Sequence, residues 1–221
     1  MARIPVEDRR RALVGAAIRV IAREGVPAAT TRAIVAEADM PLASFHYAFT
    51  SRDELLVAVI EQVTEQERLA AEVRFRPLPG PGAGSGPDAE PGGAPVGAGR
   101  PTVEQVVRAG LESYLDLLVA EPLREQALLE LSMYALRTPG LEHVVQAQYA
   151  TYRRAAAATL RSAAEITGAP WTVPEDELAQ LLVTVVDGLT TTWLSDHSTE
   201  RARLTIALVA RSMATLADPS G

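Results

Sequence analysis

The sequence predicts an all-α protein with a small three-helix head ahead of a larger helical body, on three observations. Apolar residues recur at i, i+3, i+4 and i+7 along most of the chain, the spacing of one face of a helix. No stretch alternates convincingly with the period of two that a half-buried strand needs. Breaks at Pro122, Pro139-Gly140, Gly168-Ala169-Pro170 and Ser195–Ser198 divide the second half into helix-sized pieces.

In the first helix, Leu13, Ala16, Ala17, Val20 and Ile21 form one apolar stripe. Gly25 stops it as a residue tolerant of positive φ, with Val26 placed for the hydrophobic contact that accompanies such caps. "ATTRAIVAEAD" follows, with Thr30 or Thr31 as N-cap of a second helix of about eight residues. It ends at Asp39, which tolerates a left-handed or turn conformation.

"MPLASFHYAF", Met40–Phe49, is a third helix of about two turns, far below the roughly 12–15 residues that make an isolated helix stable in water. Pro41 suits its beginning. A short helix held from behind and displaying His46 and Tyr47 implies a contact surface. "TSRDELL" starts a fourth, with Thr50 or Ser51 as cap and Asp53 and Glu54 in the first turn, where the helix dipole favours anions. Leu55, Leu56, Val59, Ile60 and Val63 carry it to about residue 74.

Residues 76–101, "RPLPGPGAGSGPDAEPGGAPVGAGRP", have almost nothing to bury and read as a disordered linker, best explained as a tolerated insertion. Five helices follow near 102–120, 123–137, 141–167, 174–195 and 199–217. The fourth of these carries Leu178, Leu181, Leu182, Val185, Val186, Leu189 and Trp193; the last carries Leu204, Leu208, Val209, Met213 and Leu216. The expected domains are therefore a head over 1–60 with a connecting helix over 51–74, the linker over 76–101, and a body over 102–221.

Composition excludes several classes of function. With 48% apolar and 22% charged residues the 221-residue chain can build a sizeable core. It has no cysteine, so disulfides and thiolate chemistry are absent. His46, His143 and His197 are scattered without metal-ligand spacing, and there is neither a GxSxG motif nor a glycine-rich phosphate loop after a strand. No enzyme, metal or cofactor is expected. The start has acids among its arginines and no apolar run, and no stretch of about 18 apolar residues exists, so a cytoplasmic protein without membrane contact is expected.

All 21 basic residues are arginine, in a chain of net charge −7. Residues 1–60 hold eight arginines against seven acids, net +1, which leaves −8 for the remainder. Any contact with a polyanion is thus confined to the head.

Helix, tight turn and short second helix is the helix-turn-helix pattern, whose second helix fits the DNA major groove. Ile34, Ala38, Met40, Phe45 and Phe49 can anchor its inner face. On "TTRAIVAEADMPLASFHYAFTSRDELL", Thr30–Leu56, preceded by an amphipathic helix ending in "REG", the chain resembles the TetR family of bacterial regulators. The detailed match covers about the first 60 residues; beyond them the helical layout alone supports it.

The resemblance implies DNA contacts at Thr31 and Arg32, at Leu42, Ala43 and Ser44 where the recognition helix begins, at the aromatic pair His46 and Tyr47, and at Arg52. There a bidentate guanidinium would hold phosphate. Asp39 replaces the usual turn glycine, Leu42 a common polar residue, and Val35 a frequent alanine. Arg9, Arg10 and Arg11 read as a solvated helix face, partly cancelled by Glu7 and Asp8.

For the body, the resemblance implies a sensor of small molecules that pairs with a second copy. The implied pocket residues are Tyr114, Leu118, Met133, Tyr134, Tyr149, Tyr152, Val186 and Thr190, stretches that show no charge to bury and favour an apolar or weakly polar effector. The implied dimer contacts are Leu181, Val185, Leu189, Leu208 and Val209. The whole reads as a homodimeric repressor of a near-palindromic operator, with a protein-binding helical adaptor and an all-α enzyme as the alternatives.

Overall fold

The structure, a computed structural model, describes residues 5–74 and 100–218, of which 70–74 as backbone only. The stretch 76–101 therefore lies, up to residue 99, outside the described residues. In chain order the helices are α1 (Val6–Glu24), a 3-10 turn (Val26–Ala28), α2 (Thr31–Glu37), α3 (Leu42–Ala48), α4 (Arg52–Arg74), α5 (Val103–Ala120), α6 (Pro122–Ala135), α7 (Glu142–Thr167), α8 (Glu175–Asp196) and α9 (Thr199–Ala214). Among the described residues there is no strand, only an isolated bridge between Trp171 and Ala217.

The head's helix ends follow from their sequences. Gly25 closes α1 at φ 84° and ψ 164°, a region essentially reserved for glycine, and a Cβ there would lie 2.9 Å from Glu130 Oε1. Thr30 caps α2, its hydroxyl accepting from Ala33 N at 3.2 Å. Asp39 stands at φ 52° just past α2. Its N–H donates to Ala36 O and that of Met40 to Val35 O, the two bonds of a Schellman motif with aspartate in glycine's place. Ser51 accepts from Glu54 N at 3.1 Å, while Glu54 accepts in return from the backbone and hydroxyl of Thr50, both at 2.7 Å.

The chain divides into two compact units that cut across the expected boundary at residue 60. The first comprises Met1–Leu69, Asp116–Tyr152 and Leu194–Asp196. Its core joins Leu13, Val20, Ile21, Ile34, Phe45, Phe49, Leu55 and Val59 of the head to Leu128 and Leu131 of α6 and Val144 of α7. Polar links reinforce this. Glu130 accepts from Val26 N at 2.8 Å, and Gln126 Nε2 donates to Ala22 O at 3.2 Å. The short helices of the head bury too little among themselves, and α6 supplies the missing apolar face.

The second unit comprises Ala70–Leu115, Arg153–Trp193 and His197–Gly221. A capping box opens α5: Thr102 Oγ1 accepts from Gln105 N at 3.2 Å and Gln105 Oε1 from Thr102 N at 2.9 Å. Trp171 donates its indole N–H to Leu160 O at 2.8 Å, and the chain end is held by Thr172 N to Leu216 O and Asp218 N to Pro170 O. The apolar residues of α9 divide between two faces. Its buried residues are Ala202, Ile206, Ala210 and Met213, while Leu204 and Leu208 are each 62% exposed.

Candidate functional site

Phe45 and Phe49, each 2% exposed, and Ala48 fix α3 from behind. With that face committed, Leu42, Ala43, His46 and Tyr47 are left exposed, and Ser44 half-buried. Tyr47 is 73% exposed, unusual for so large a ring. On α2, Thr31 is half-buried and Arg32 exposed, with no ion pair among the described residues. The arrangement presents a two-turn helix with an aromatic hydroxyl, an imidazole and a neighbouring guanidinium, a shape and donor set that fit a groove lined with phosphate.

A cation that the sequence reading leaves on a solvated face joins this surface. The Arg9 guanidinium stands 5.6 Å from the centroid of the Tyr47 ring, a cation–π contact between α1 and α3. The residues are 38 positions apart, so no local pattern reveals the pair. Arg10 is half-buried. It donates to Ala48 O at the end of α3, bonds Glu54 at 3.2 Å and lies 4.1 Å over the Phe49 ring. Arg11 pairs with Asp8 at 3.1 Å, on the surface as expected.

Arg52 requires a correction. Its Nε donates to Ala29 O at 2.8 Å, one terminal nitrogen to Val26 O at 2.5 Å and the other to Tyr134 Oη at 3.4 Å. All three guanidinium nitrogens hydrogen-bond inward, to Val26, Ala29 and α6, so the side chain serves first as a clasp within the fold. The Val26 carbonyl already accepts from Ala29 N at 3.1 Å, and the planar cation adds a second bond there while also reaching Ala29 O.

Glu37 ties α1 to α2 through Arg19 at 2.7 Å and Arg23 at 3.1 Å, and those hydrogen bonds hold its carboxyl below the usual range. Glu54 is lowered too, first by the Thr50 hydroxyl and backbone, then by Arg10.

The implied pocket residues fall into separate groups. In the first unit Tyr149 and Tyr152 meet edge to face at 5.8 Å, Tyr134 is engaged by Arg52, Leu118 is fully buried, and Met133 is 48% exposed. In the second, Tyr114 and Thr190 share a hydroxyl hydrogen bond of 2.5 Å, and Thr190 also donates to Val186 O at 2.9 Å.

The expectation that no charge is buried in these stretches is corrected. Glu125 of α6 is 4% exposed and pairs with Arg124 at 3.0 Å, and Arg124 also holds Glu121 at 2.9 Å. Glu67 of α4 accepts from the Tyr152 hydroxyl, which itself accepts from Gln148 Nε2 at 3.1 Å. Burial, followed by the adjacent Glu125 carboxyl, pushes the Glu67 carboxyl well above the usual range. Burial and the Glu67 charge push the Tyr152 phenol up as well. A signal for both acids is present in the sequence: Glu67 continues the stripe Leu56, Val59, Ile60, Val63, and Glu125 continues Leu128 and Ser132.

Of the implied dimer contacts, Leu208 is 62% and Leu181 41% exposed, and Val185 and Val209 are half-buried. Leu189 departs from the expectation. At 2% exposure within one chain, its side chain offers no surface to a second copy. Leu204, one turn before Leu208, is likewise 62% exposed, on the outer face of α9.

Among the described residues no group of His, Asp and Glu could hold a metal ion, and no helix is long and apolar enough to cross a membrane. The family model described as bacterial regulatory proteins, tetR family, matches residues 13–59, and that of the BetI-type transcriptional repressor, C-terminal, matches 103–218. A curated relative, the HTH-type nicotine-responsive transcriptional repressor HdnoR of Paenarthrobacter nicotinovorans, is 28% identical over 90% of either chain. The fold is shared with a transcriptional regulator from Rhodococcus sp. Rha1 (TM-score 0.67, 18% identity, 96% of this chain and 99% of that one). It is shared also with the multidrug binding protein EbrR complexed with ethidium (TM-score 0.60, 20% identity, 95% and 99%).

Proposed function

The chain belongs to the TetR family of bacterial regulators, and from that membership we propose a homodimeric repressor that leaves a near-palindromic operator when a small organic effector binds its body. The observation that carries this reading is α3, a seven-residue helix fixed by Phe45 and Phe49 with His46 and Tyr47 turned to solvent. One such helix touches too few base pairs to select a site. A two-fold pair spaces two of them about 34–36 Å apart, one turn of B-DNA. The exposed leucines Leu181, Leu204 and Leu208 supply an apolar face for the pairing.

Arg32, Tyr47 and Arg9 supply phosphate contacts, with Thr31, Leu42, Ala43, Ser44 and His46 at the groove. Leu42 presses on a thymine methyl rather than hydrogen-bonding a base. A relative named for its response to nicotine and a fold neighbour seen with ethidium support an organic effector. Such a ligand releases DNA only by binding more tightly to the conformation whose recognition helices are mis-spaced.

Fluorescence anisotropy of the full chain against the duplex upstream of its own gene, with a scrambled duplex of equal length as control, tests the reading. Tight binding to the upstream duplex alone, weakening steeply with salt, is expected. Equal and weak binding to both duplexes would favour a helical adaptor that recognises protein.

A further inference from the structure

We propose that Glu67, Glu125, Tyr152 and Thr64 form the recognition point for the positive charge of the effector, a protonated or quaternary amine that enters in exchange for a proton. The inference deepens the regulator reading and rests on it only for its biological meaning.

One guanidinium faces three carboxylates. Arg124 is claimed by Glu125 at 3.0 Å and by Glu121 at 2.9 Å, while Glu67, beside Glu125, accepts from the Tyr152 hydroxyl rather than from a cation. Two neighbouring carboxyls with one shared arginine cannot both ionise cheaply. The cluster therefore favours a proton on the Glu67 carboxyl, at a place where a cation would serve as well.

An independent sign of incompleteness is Thr64, one helical turn before Glu67 on α4. It is 6% exposed, and its hydroxyl has no hydrogen bond of normal geometry. That hydroxyl faces the Tyr152 phenol closely enough to favour the phenol's ionised form. Buried hydroxyls without a well-formed partner are rare in native proteins, and a bound group is one of the reasons for which they persist.

Glu67 and Tyr152 are half-buried, whereas Thr64 and Glu125 are buried, so the cluster is reached from the Glu67–Tyr152 end. The edge-to-face Tyr149–Tyr152 pair at that end offers aromatic surface to a cation. On binding, the ammonium takes the place of the proton on the Glu67 carboxyl, and the proton passes to solvent. Charge in the cluster is unchanged, and no bond other than that O–H is broken.

Isothermal titration calorimetry of the full chain without DNA tests this, with benzylamine, ethidium and the neutral benzyl alcohol as probes, in two buffers of different ionisation enthalpy. The expected result is that the amine binds about tenfold more tightly than the alcohol and releases up to about one proton. Glu67→Gln, which mimics the protonated carboxyl and keeps the fold, should remove both the preference and the proton release. Tyr152→Phe should weaken the amine and leave the alcohol unchanged. Equal affinity for amine and alcohol, no buffer dependence, full preference in Glu67→Gln, or no saturable binding by either cation would each overturn the proposal. Because DNA is absent, failure here is distinct from failure of operator binding.

Discussion

Arg52, the first residue of α4, donates a hydrogen bond of 2.5 Å to the carbonyl of Val26 in the turn after α1, while its Nε donates to Ala29 O. One side chain thus fastens the start of the connecting helix to the turn that positions α2, and its aromatic neighbour Tyr134 brings α6 to the same point. Arg52→Ala is expected to cost about 2–3 kcal/mol in chemical denaturation, since charge-assisted hydrogen bonds to buried carbonyls are lost. Arg52→Lys should recover little, because an ammonium cannot span two carbonyls as a planar fork does. The salt dependence of DNA binding should keep its slope in the folded fraction; a slope lower by about one unit would return Arg52 to a phosphate role.

Tyr47 behaves in the opposite way. It is 73% exposed, so Tyr47→Ala should change stability by less than about 0.5 kcal/mol. Its affinity for every duplex should fall alike, with the slope of log K against log salt kept, because a neutral phenol neutralises no phosphate charge. Anisotropy titrations at three salt concentrations separate this from base recognition, which would change sequence preference.

The outer face of α9 sets the third expectation. Leu204→Glu with Leu208→Glu alters two side chains that are each 62% exposed in one chain, so helical content should be retained. Sedimentation velocity should show a monomer where the parent is a dimer. Operator affinity should drop by about 100-fold, the equivalent of burying two leucines at about 1.5 kcal/mol each. A dimer that survives would move the interface elsewhere. Leu189→Ala, by contrast, acts within one chain and should lower stability itself.

The fourth concerns pH. The folded state raises the Glu67 carboxyl by burial and by Glu125, with Arg124 opposing, so it keeps a proton that the unfolded chain releases near 4.5. Its contribution is complete below that value, declines as pH rises, and is gone above the raised folded pKa. Each pH unit within this window removes up to about 1.4 kcal/mol per proton. Glu67→Gln should flatten stability over this range in urea titrations. Glu37 and Glu54 have the reverse sign, their lowered carboxyls losing stability only as pH falls into the acid range.

Helix positions were legible because each carries its own punctuation. Gly25, Thr30, Asp39 and Ser51 act on backbone within a few residues, and local sterics and capping bonds suffice to place them. The inner face of the helix-turn-helix was legible for the same reason, since Ile34, Phe45 and Phe49 have no other helical phase in which to be buried.

Four arginines of similar local context, Arg9, Arg10, Arg32 and Arg52, show where that legibility stops. One stacks on Tyr47, one clasps the end of α3, one stays in solvent, and one is folded inward against Val26 and Ala29. A flexible cation takes whatever anion, carbonyl or ring the fold brings within reach, and those partners lie 23 to 82 residues away in the internal cases. The same holds for Glu67 and Glu125, each an acid on an apolar stripe whose meaning depends on the other helix. Short-range sterics wrote the helices and the inward face of the head into the chain. Long-range packing alone assigned each charged side chain to the surface, to a clasp or to the buried acidic cluster, because Coulomb and hydrogen-bond energies depend on distances that exist only after the chain has folded.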